Sequence, residues 1–243
     1  MNICIIIPAH NEQSRIARTV QEYVQHFSRS NHRVHLLIVL NACNDRSADI
    51  VQELQNTYAA IWYINLKPGG KGFAIAQGFK HALQKEYELI GFVDADMATS
   101  PCAFDTLIHE LDGYDGIIAS RYMKGAIVSP PRPFIKRWGS KLVYEPIIRF
   151  LFGITYHDYQ CGAKLFKRKV IEKIARQLVV QHWAFDVEIL YLCKKYGFKI
   201  KEVPTIWHDQ ADSKLQMMRS GLTMLKTLFW LRLYHSRFKK WVM

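Results

Sequence analysis

The chain has 243 residues, 49% of them hydrophobic and 22% charged, which suits one large α/β domain or one domain with a small appendage. Its five cysteines (Cys4, Cys43, Cys102, Cys161, Cys193) contain no Cys-x-x-Cys pair, which argues against a disulfide framework and a zinc site and favours a reducing compartment; no charged leader with an apolar core is visible as a signal peptide. The net charge of +12 is lopsided: residues 1–120 hold 9 Lys+Arg against 13 Asp+Glu, a net of −4, and residues 121–243 hold 24 against 8, a net of +16. The second half therefore suits an anionic surface, either nucleic acid or the acidic face of a membrane.

Residues 3–7 form a continuous apolar run, the pattern of a strand buried on both faces. Residues 12–27 follow with Ile16, Val20, Tyr23, Val24 and Phe27 on one helical face. The alternation continues with a strand over 35–40, a helix over 47–58 with Ser47 as its cap, a short strand over 61–64 and a helix over 72–83 entered from "KPGGKG". A strand over 88–93, a helix over 101–111 capped by Ser100, and a strand over 116–120 complete the first half. Strands and helices alternating at this spacing predict a mostly parallel sheet with helices on both faces. The second half reads as a loop at "VSPPRPFI", a helix over 136–152, a polar turn at "TYHDYQCGAK", helices near 167–176 and 184–195, and a strand over 198–203.

In such sheets ligands bind beyond the carboxyl ends of the strands. Asp94, Asp96, Asn41, the segment Pro8–Glu12 and Arg121 all fall at those ends, so one site is implied. Asp94 and Asp96 are two apart, and in extended chain such residues point to the same side. Two carboxylates aimed at one spot repel unless a cation lies between them. "GGKG" offers backbone N–H groups and a lysine, which suits phosphate, but lacks the spacing of a P-loop. Read singly, Asn11 and Glu12 can be helix caps and "LNACNDRSAD" an Asx-rich turn.

Taken together, "IIIPAHNE" (5–12), "NACNDRSADI" (41–50), "GGKGFAIAQGF" (69–79), "VDAD" (93–96) and "ASRY" (119–122) resemble the family 2 inverting glycosyltransferases of the GT-A fold. "HDYQCGAKLF" (157–166) and "WAFDVEIL" (183–190) resemble the dolichyl-phosphate glucosyltransferase branch of the polyprenyl- and dolichyl-phosphate hexose synthases. The resemblance implies an α/β GT-A domain over 1–212 and transfer of a hexose, most simply glucose, from a nucleotide-sugar to a polyprenyl monophosphate. UDP-glucose is the favoured donor and GDP-mannose the alternative. It further implies that Asp94 and Asp96 hold Mg²⁺ or Mn²⁺ against the donor diphosphate, with Asp96 central to catalysis. Pro8, Asn11, Glu12, Asn41 and Lys71 then line the donor side. Arg121, Arg137 and Ser140 are candidates for the acceptor phosphate, with Gln160, Lys164 and Trp183 beside them. Asp158 either orients the acceptor or takes a residual proton.

The chain departs from the family pattern in two places. Leu40-Asn41-Ala42-Cys43 stands where Asp-Asp-Gly-Ser is frequent, and Ala98 where some relatives carry a Gln near the metal, leaving two protein ligands. Cys161 reads as a small packed residue. Trp183 and Phe185 read as packing, Trp183 alternatively as a wall of the sugar pocket.

From Ser213 onward there are seven Lys/Arg and no acid, interleaved with Leu222, Leu225, Phe229, Trp230 and other apolar residues. No uncharged stretch there approaches the roughly 20 residues needed to span a bilayer. Residues 213–243 are therefore expected to form a basic amphipathic helix lying on the membrane surface, peripheral and on the cytoplasmic side. The alternative is a helix packed on its own domain or on a second copy of the chain in a homo-oligomer. The competing functions are a GT-A transferase acting on a sugar hydroxyl, a catalytically dead relative and, more remotely, a nucleic-acid-binding protein. The last leaves the acidic first half unexplained, and nucleic acid is not expected as a partner.

Overall fold

The computed structural model describes residues 1–130, 144–182, 184–209, 217–236 and 239. In chain order its elements are β1 (Asn2–Ala9), α1 (Ile16–Phe27), β2 (Arg33–Asn41), α2 (Ser47–Thr57), β3 (Ile61–Leu66), α3 (Lys71–Ala82), β4 (Leu89–Phe92) and α4 (Pro101–His109). There follow β5 (Gly116–Ser120), β6 (Ile127–Ser129), α5 (Glu145–Phe152), β7 (Lys164–Lys167), α6 (Arg168–Ile174), α7 (Phe185–Lys195), β8 (Ile200–Pro204), β9 (Ile206–His208) and α8 (Met217–Tyr234).

Seven strands make one sheet in the order β3-β2-β1-β4-β7-β5-β8. All neighbours run parallel except β7, which is antiparallel to both β4 and β5. The expected mostly parallel sheet flanked by helices is what forms. β1 explains its own sequence: Ile3, Ile5 and Ile7 enter one core with Leu40, Val93 and Phe104, and Cys4 and Ile6 enter the other with Val39, Phe79, Phe92 and Phe185. A strand covered on both faces has no use for a polar side chain.

Three expectations needed changing. The polar turn over 155–164 runs into β7, a four-residue strand too short to show a period, which exists because β4 and β5 offer it a ladder on each side. Ser47 is not a cap. It is the first helical residue, and its hydroxyl accepts the Glu12 N–H at 2.8 Å. The paired acids lie past the strand, since β4 ends at Phe92 and Met97 has φ of 61°. Both still face the cleft, through turn geometry rather than strand alternation. Ser100 does cap α4, accepting from Ala103 N.

The segment set apart as a tail is packed onto the domain along one face. Leu228 and Leu231 of α8 are fully buried in the core shared with α7, and α8 lies against α5. The opposite face stays bare: Phe229 is 53% and Leu233 43% exposed, beside Phe150 of α5 at 87%. Among the described residues no helix is long and apolar enough to cross a membrane.

Candidate active site

The carboxyl ends of β1, β2 and β4 and the start of α3 enclose a cleft of about 470 Å³ lined by Pro8, His10, Glu12, Asn41, Gly70, Lys71, Asp94, Asp96 and His182, among others. That volume suits a small-molecule ligand. Three residues at its rim adopt the left-handed conformation without being glycine: Asn11 (φ 55°), Ala42 (φ 50°) and Met97 (φ 61°). Each follows the end of β1, β2 or β4, and backbone strain of this kind gathers at functional sites.

Side chains stitch the rim together. Asn11 Oδ1 accepts from Asn44 N at 2.9 Å, Gln13 N donates to Asp45 at 3.1 Å, and Arg15 binds Glu12 Oε2 at 2.6 Å. Asn11 and Glu12 thus fix the loops, and Glu12 also lines the cleft. Asn41 is buried, and its Oδ1 has no hydrogen-bond partner among the described residues. A buried acceptor left unpaired is costly, so a ligand donor at that point would be rewarded.

Asp94 forms an ion pair with Lys71. Burial lowers the lysine's proton affinity, but Asp94 and Asp186 outweigh it and hold the Lys71 ammonium above its usual value. Burial, then the neighbouring Asp94 charge, raises the Asp96 carboxyl. Gly162 faces the pair, and a Cβ there would collide with the Asp94 carboxylate. Two carboxylates in a cradle that needs glycine, already attracting a cation, fit a hard divalent ion whose remaining ligands come from phosphate.

One N–H of the "GGKG" loop is spent inside the chain rather than offered to a ligand. The N–H groups of Gly72 and Phe73 donate to the Gln181 carbonyl at 2.8 and 3.2 Å. The glycines serve close packing, because a Cβ on Gly70 would lie 2.6 Å from Gln181 O and one on Gly72 2.5 Å from Val180 O. Gly69, Gly70 and Lys71 line the cleft from this loop, and Lys71 supplies its charge.

Across the sheet, Arg121 at the end of β5 grips Asp158 with two bonds, Nε–Oδ2 at 2.6 Å and Nη2–Oδ1 at 2.8 Å, and stacks over Trp207 at 4.9 Å. Burial would raise the Asp158 carboxyl, but the Arg121 charge and hydrogen bonds win and hold it below its usual value. With both oxygens engaged, Asp158 is placed to orient rather than to act as a free base. Gln160 sits near the surface, lining a small hollow with Arg121 and His157. Lys164 is corrected outright. It is fully buried in β7, bound to Asp186 Oδ1 at 2.5 Å and to the Cys161 carbonyl at 2.7 Å, and so stabilises the floor rather than meeting the acceptor. Burial and then the Asp158 charge push the Cys161 thiol up to about 12, consistent with packing. Arg137, Ser140 and Trp183 lie outside the described residues.

Sequence reasoning missed four supports. Asp186 pairs with Lys164; Glu202 of β8 accepts from His157 N and Asp158 N, fixing the turn that carries Asp158; Glu188 and His235 meet at 2.9 Å. Their partners are 22 to 47 positions away, and only Asp186 and Glu188 lay within a quoted motif.

A strand-end cleft with paired carboxylates on a mostly parallel sheet is the arrangement expected of a GT-A glycosyltransferase. The chain belongs to glycosyl transferase family 2, whose model matches residues 4–175. It is 27% identical over 252 residues to a dolichyl-phosphate beta-glucosyltransferase of Trichomonas vaginalis, covering 95% of this chain and 74% of that protein. It is 25% identical over 230 residues to a glycosyltransferase of Haloferax volcanii, covering 92% of this chain but 36% of the relative. In fold it matches glucosyl-3-phosphoglycerate synthase from Mycobacterium tuberculosis, solved with Mn²⁺, uridine diphosphate and glucosyl-3-phosphoglycerate, at a TM-score of 0.69 and 14% identity over 96% of this chain and 78% of that one.

Proposed function

We propose that the chain transfers glucose, with inversion, from UDP-glucose to the phosphate of a polyprenyl or dolichyl lipid. The carboxylate pair Asp94/Asp96 beside Lys71 in the strand-end cleft carries this reading, and the likeness to a dolichyl-phosphate beta-glucosyltransferase supports the choice of sugar and acceptor. Asp94 and Asp96 would hold Mg²⁺ or Mn²⁺, which supplies positive charge for the departing nucleoside diphosphate. Lys71 adds a second positive charge at the same place. The orphaned Asn41 Oδ1 accepts an N–H of the base.

The acceptor side fits a lipid phosphate. A phosphate monoester has its second pKa near 6 and is already anionic at neutral pH, so the nucleophile needs no strong base. A sugar hydroxyl would need one, and the carboxylate expected there has both oxygens held by Arg121. By resemblance Arg137, Ser140 and Arg121 are the candidates to hold the phosphate.

The acceptor's phosphate lies at a bilayer surface, so the cleft must come to it. Phe150, Phe229 and Leu233 form the apolar contact, and the exposed Arg149, Lys226, Arg232 and Lys239 around them meet anionic head groups, each contributing about 1 kcal/mol. Five free cysteines suit the cytoplasmic face.

The test is a donor panel of UDP-glucose, GDP-mannose and UDP-N-acetyl sugars with polyprenyl phosphate and Mn²⁺ or Mg²⁺. Radiolabel should enter the lipid fraction from UDP-glucose and only with metal. Label passing instead to free sugars would overturn the acceptor. Docking is tested by vesicle sedimentation of the Phe150→Glu/Phe229→Glu protein, which should stay in solution.

A further inference from the structure

We infer that Glu188 is a positioning residue for the donor side of the cleft and that His235, just past α8, holds it in place, so that the C-terminal helix is linked to the Lys71 loop through two side chains. The "WAFDVEIL" motif contains Glu188, and none of the roles given above uses it.

The connection is traced atom by atom. Glu188 is fully buried on α7. Its carboxylate accepts the Val179 N–H at 3.1 Å to both oxygens and the Val180 N–H at 2.9 Å. The third donor is His235 Nε2, 2.9 Å from Oε1; a carboxylate only accepts, so Nε2 carries a proton. The next residue, Gln181, turns its carbonyl onto the N–H groups of Gly72 and Phe73. Gly70 and Gly72 have room for nothing larger against this segment. The backbone at 179–181 is therefore a clamp on the first turn of α3, the turn that begins with Lys71, the partner of Asp94.

His235 itself is fixed by the fold. Its backbone N–H continues α8 by bonding to Leu231 O at 3.1 Å, and its ring packs on Tyr191 and Tyr234. It reaches Glu188 because Leu228 and Leu231 seat α8 on the core. A buried carboxylate satisfied by two loop amides and one distant histidine orders the loop, which an apolar side chain of equal size would not do.

The test uses the full-length chain and amide hydrogen exchange. His235→Phe keeps the ring packing and removes the donor, whereas His235→Gln restores an N–H donor. In His235→Phe, exchange at 72–73 and 179–180 should accelerate about ten-fold while β1 and β4 stay unchanged, and affinity for uridine diphosphate with Mn²⁺ should fall by a similar factor. His235→Gln should recover most of both. In the wild type, linkage requires the reverse effect: uridine diphosphate binding should slow exchange over 231–236, a measurement that needs no variant to fold. Unchanged exchange at 72–73, uniform acceleration across the domain, failure of His235→Gln to rescue, or no nucleotide effect on 231–236 would each overturn the link. The nucleotide readout rests on the donor reading given above. A wild-type chain that ignores uridine diphosphate would defeat that reading, and the exchange of the free variants would still decide the clamp.

Discussion

On the β1–β4 side of the cleft, Asp94, Asp96 and Asn41 crowd negative and acceptor groups together, with a raised Asp96 carboxyl and an Asn41 oxygen that has no hydrogen-bond partner among the described residues. Across the sheet, Arg121 with Asp158, Lys164 with Asp186 and His235 with Glu188 are buried as close pairs. In the first, Asp94 is paired with Lys71 while the Asp96 carboxyl stays raised, and under the proposed function a bound cation completes the set. The second is satisfied within the chain and holds backbone in place. Under the proposed function, charge imbalance lies where the chemistry would happen, and charge balance in what supports it.

That contrast can be broken at several points. The largest effect is expected at the unsatisfied side: Asp96→Asn should lower transfer of radiolabelled glucose to polyprenyl phosphate by about 100- to 1,000-fold, with Asp94→Asn close behind and both proteins still folded by circular dichroism. Breaking a satisfied pair should instead unfold. Arg121→Met leaves the buried Asp158 without its guanidinium partner, and urea denaturation should show a loss of about 3–5 kcal/mol. Arg121→Met/Asp158→Leu should recover much of it, which a double-mutant cycle would measure.

The same pair predicts a sign with pH. The folded Asp158 carboxyl lies below its unfolded value of about 3.9, so the stability it contributes is present above that value and is lost as pH falls through the lower folded one. Asp158→Asn should remove that acid-side dependence from the unfolding curve.

Smaller effects lie at the joints. Gly72→Ala drives a Cβ into Val180 O and Phe185, and should cost about 1–3 kcal/mol in urea together with weaker nucleotide binding. Ala42→Gly should do the opposite and stabilise by up to about 1 kcal/mol, since relief of the left-handed alanine exceeds the entropy glycine loses.

Legibility followed the same divide. The donor side could be read because each of its groups ends an apolar strand run, so a local pattern places Asn41, Asp94 and Asp96 without knowledge of the rest. Lys164 was misread for the matching reason: a lysine in a polar stretch looks exposed until β7 carries it between β4 and β5 and Asp186 arrives from α7. The α8 helix gave an ambiguous pattern because it has apolar residues on two faces, one for the core and one left bare. Sequence spacing cannot say which face is covered.

The antiparallel strand β7 has a consequence for how the protein is made. β4 and β5 are never direct neighbours, since β7 lies between them and supplies ladder bonds to both. A ribosome that has released residues 1–130 has made five strands of the sheet, yet β4 ends in an open edge and β5 has nothing to join. Only when residues 164–167 emerge can the halves close. Until then the nascent chain presents an unpaired, apolar strand edge of the kind that invites mispairing. The strand that arrives beside β4 also brings Gly162 against Asp94, so joining the two halves of the sheet and walling the Asp94 side of the cleft are one event, with β8 still to be added at the far edge.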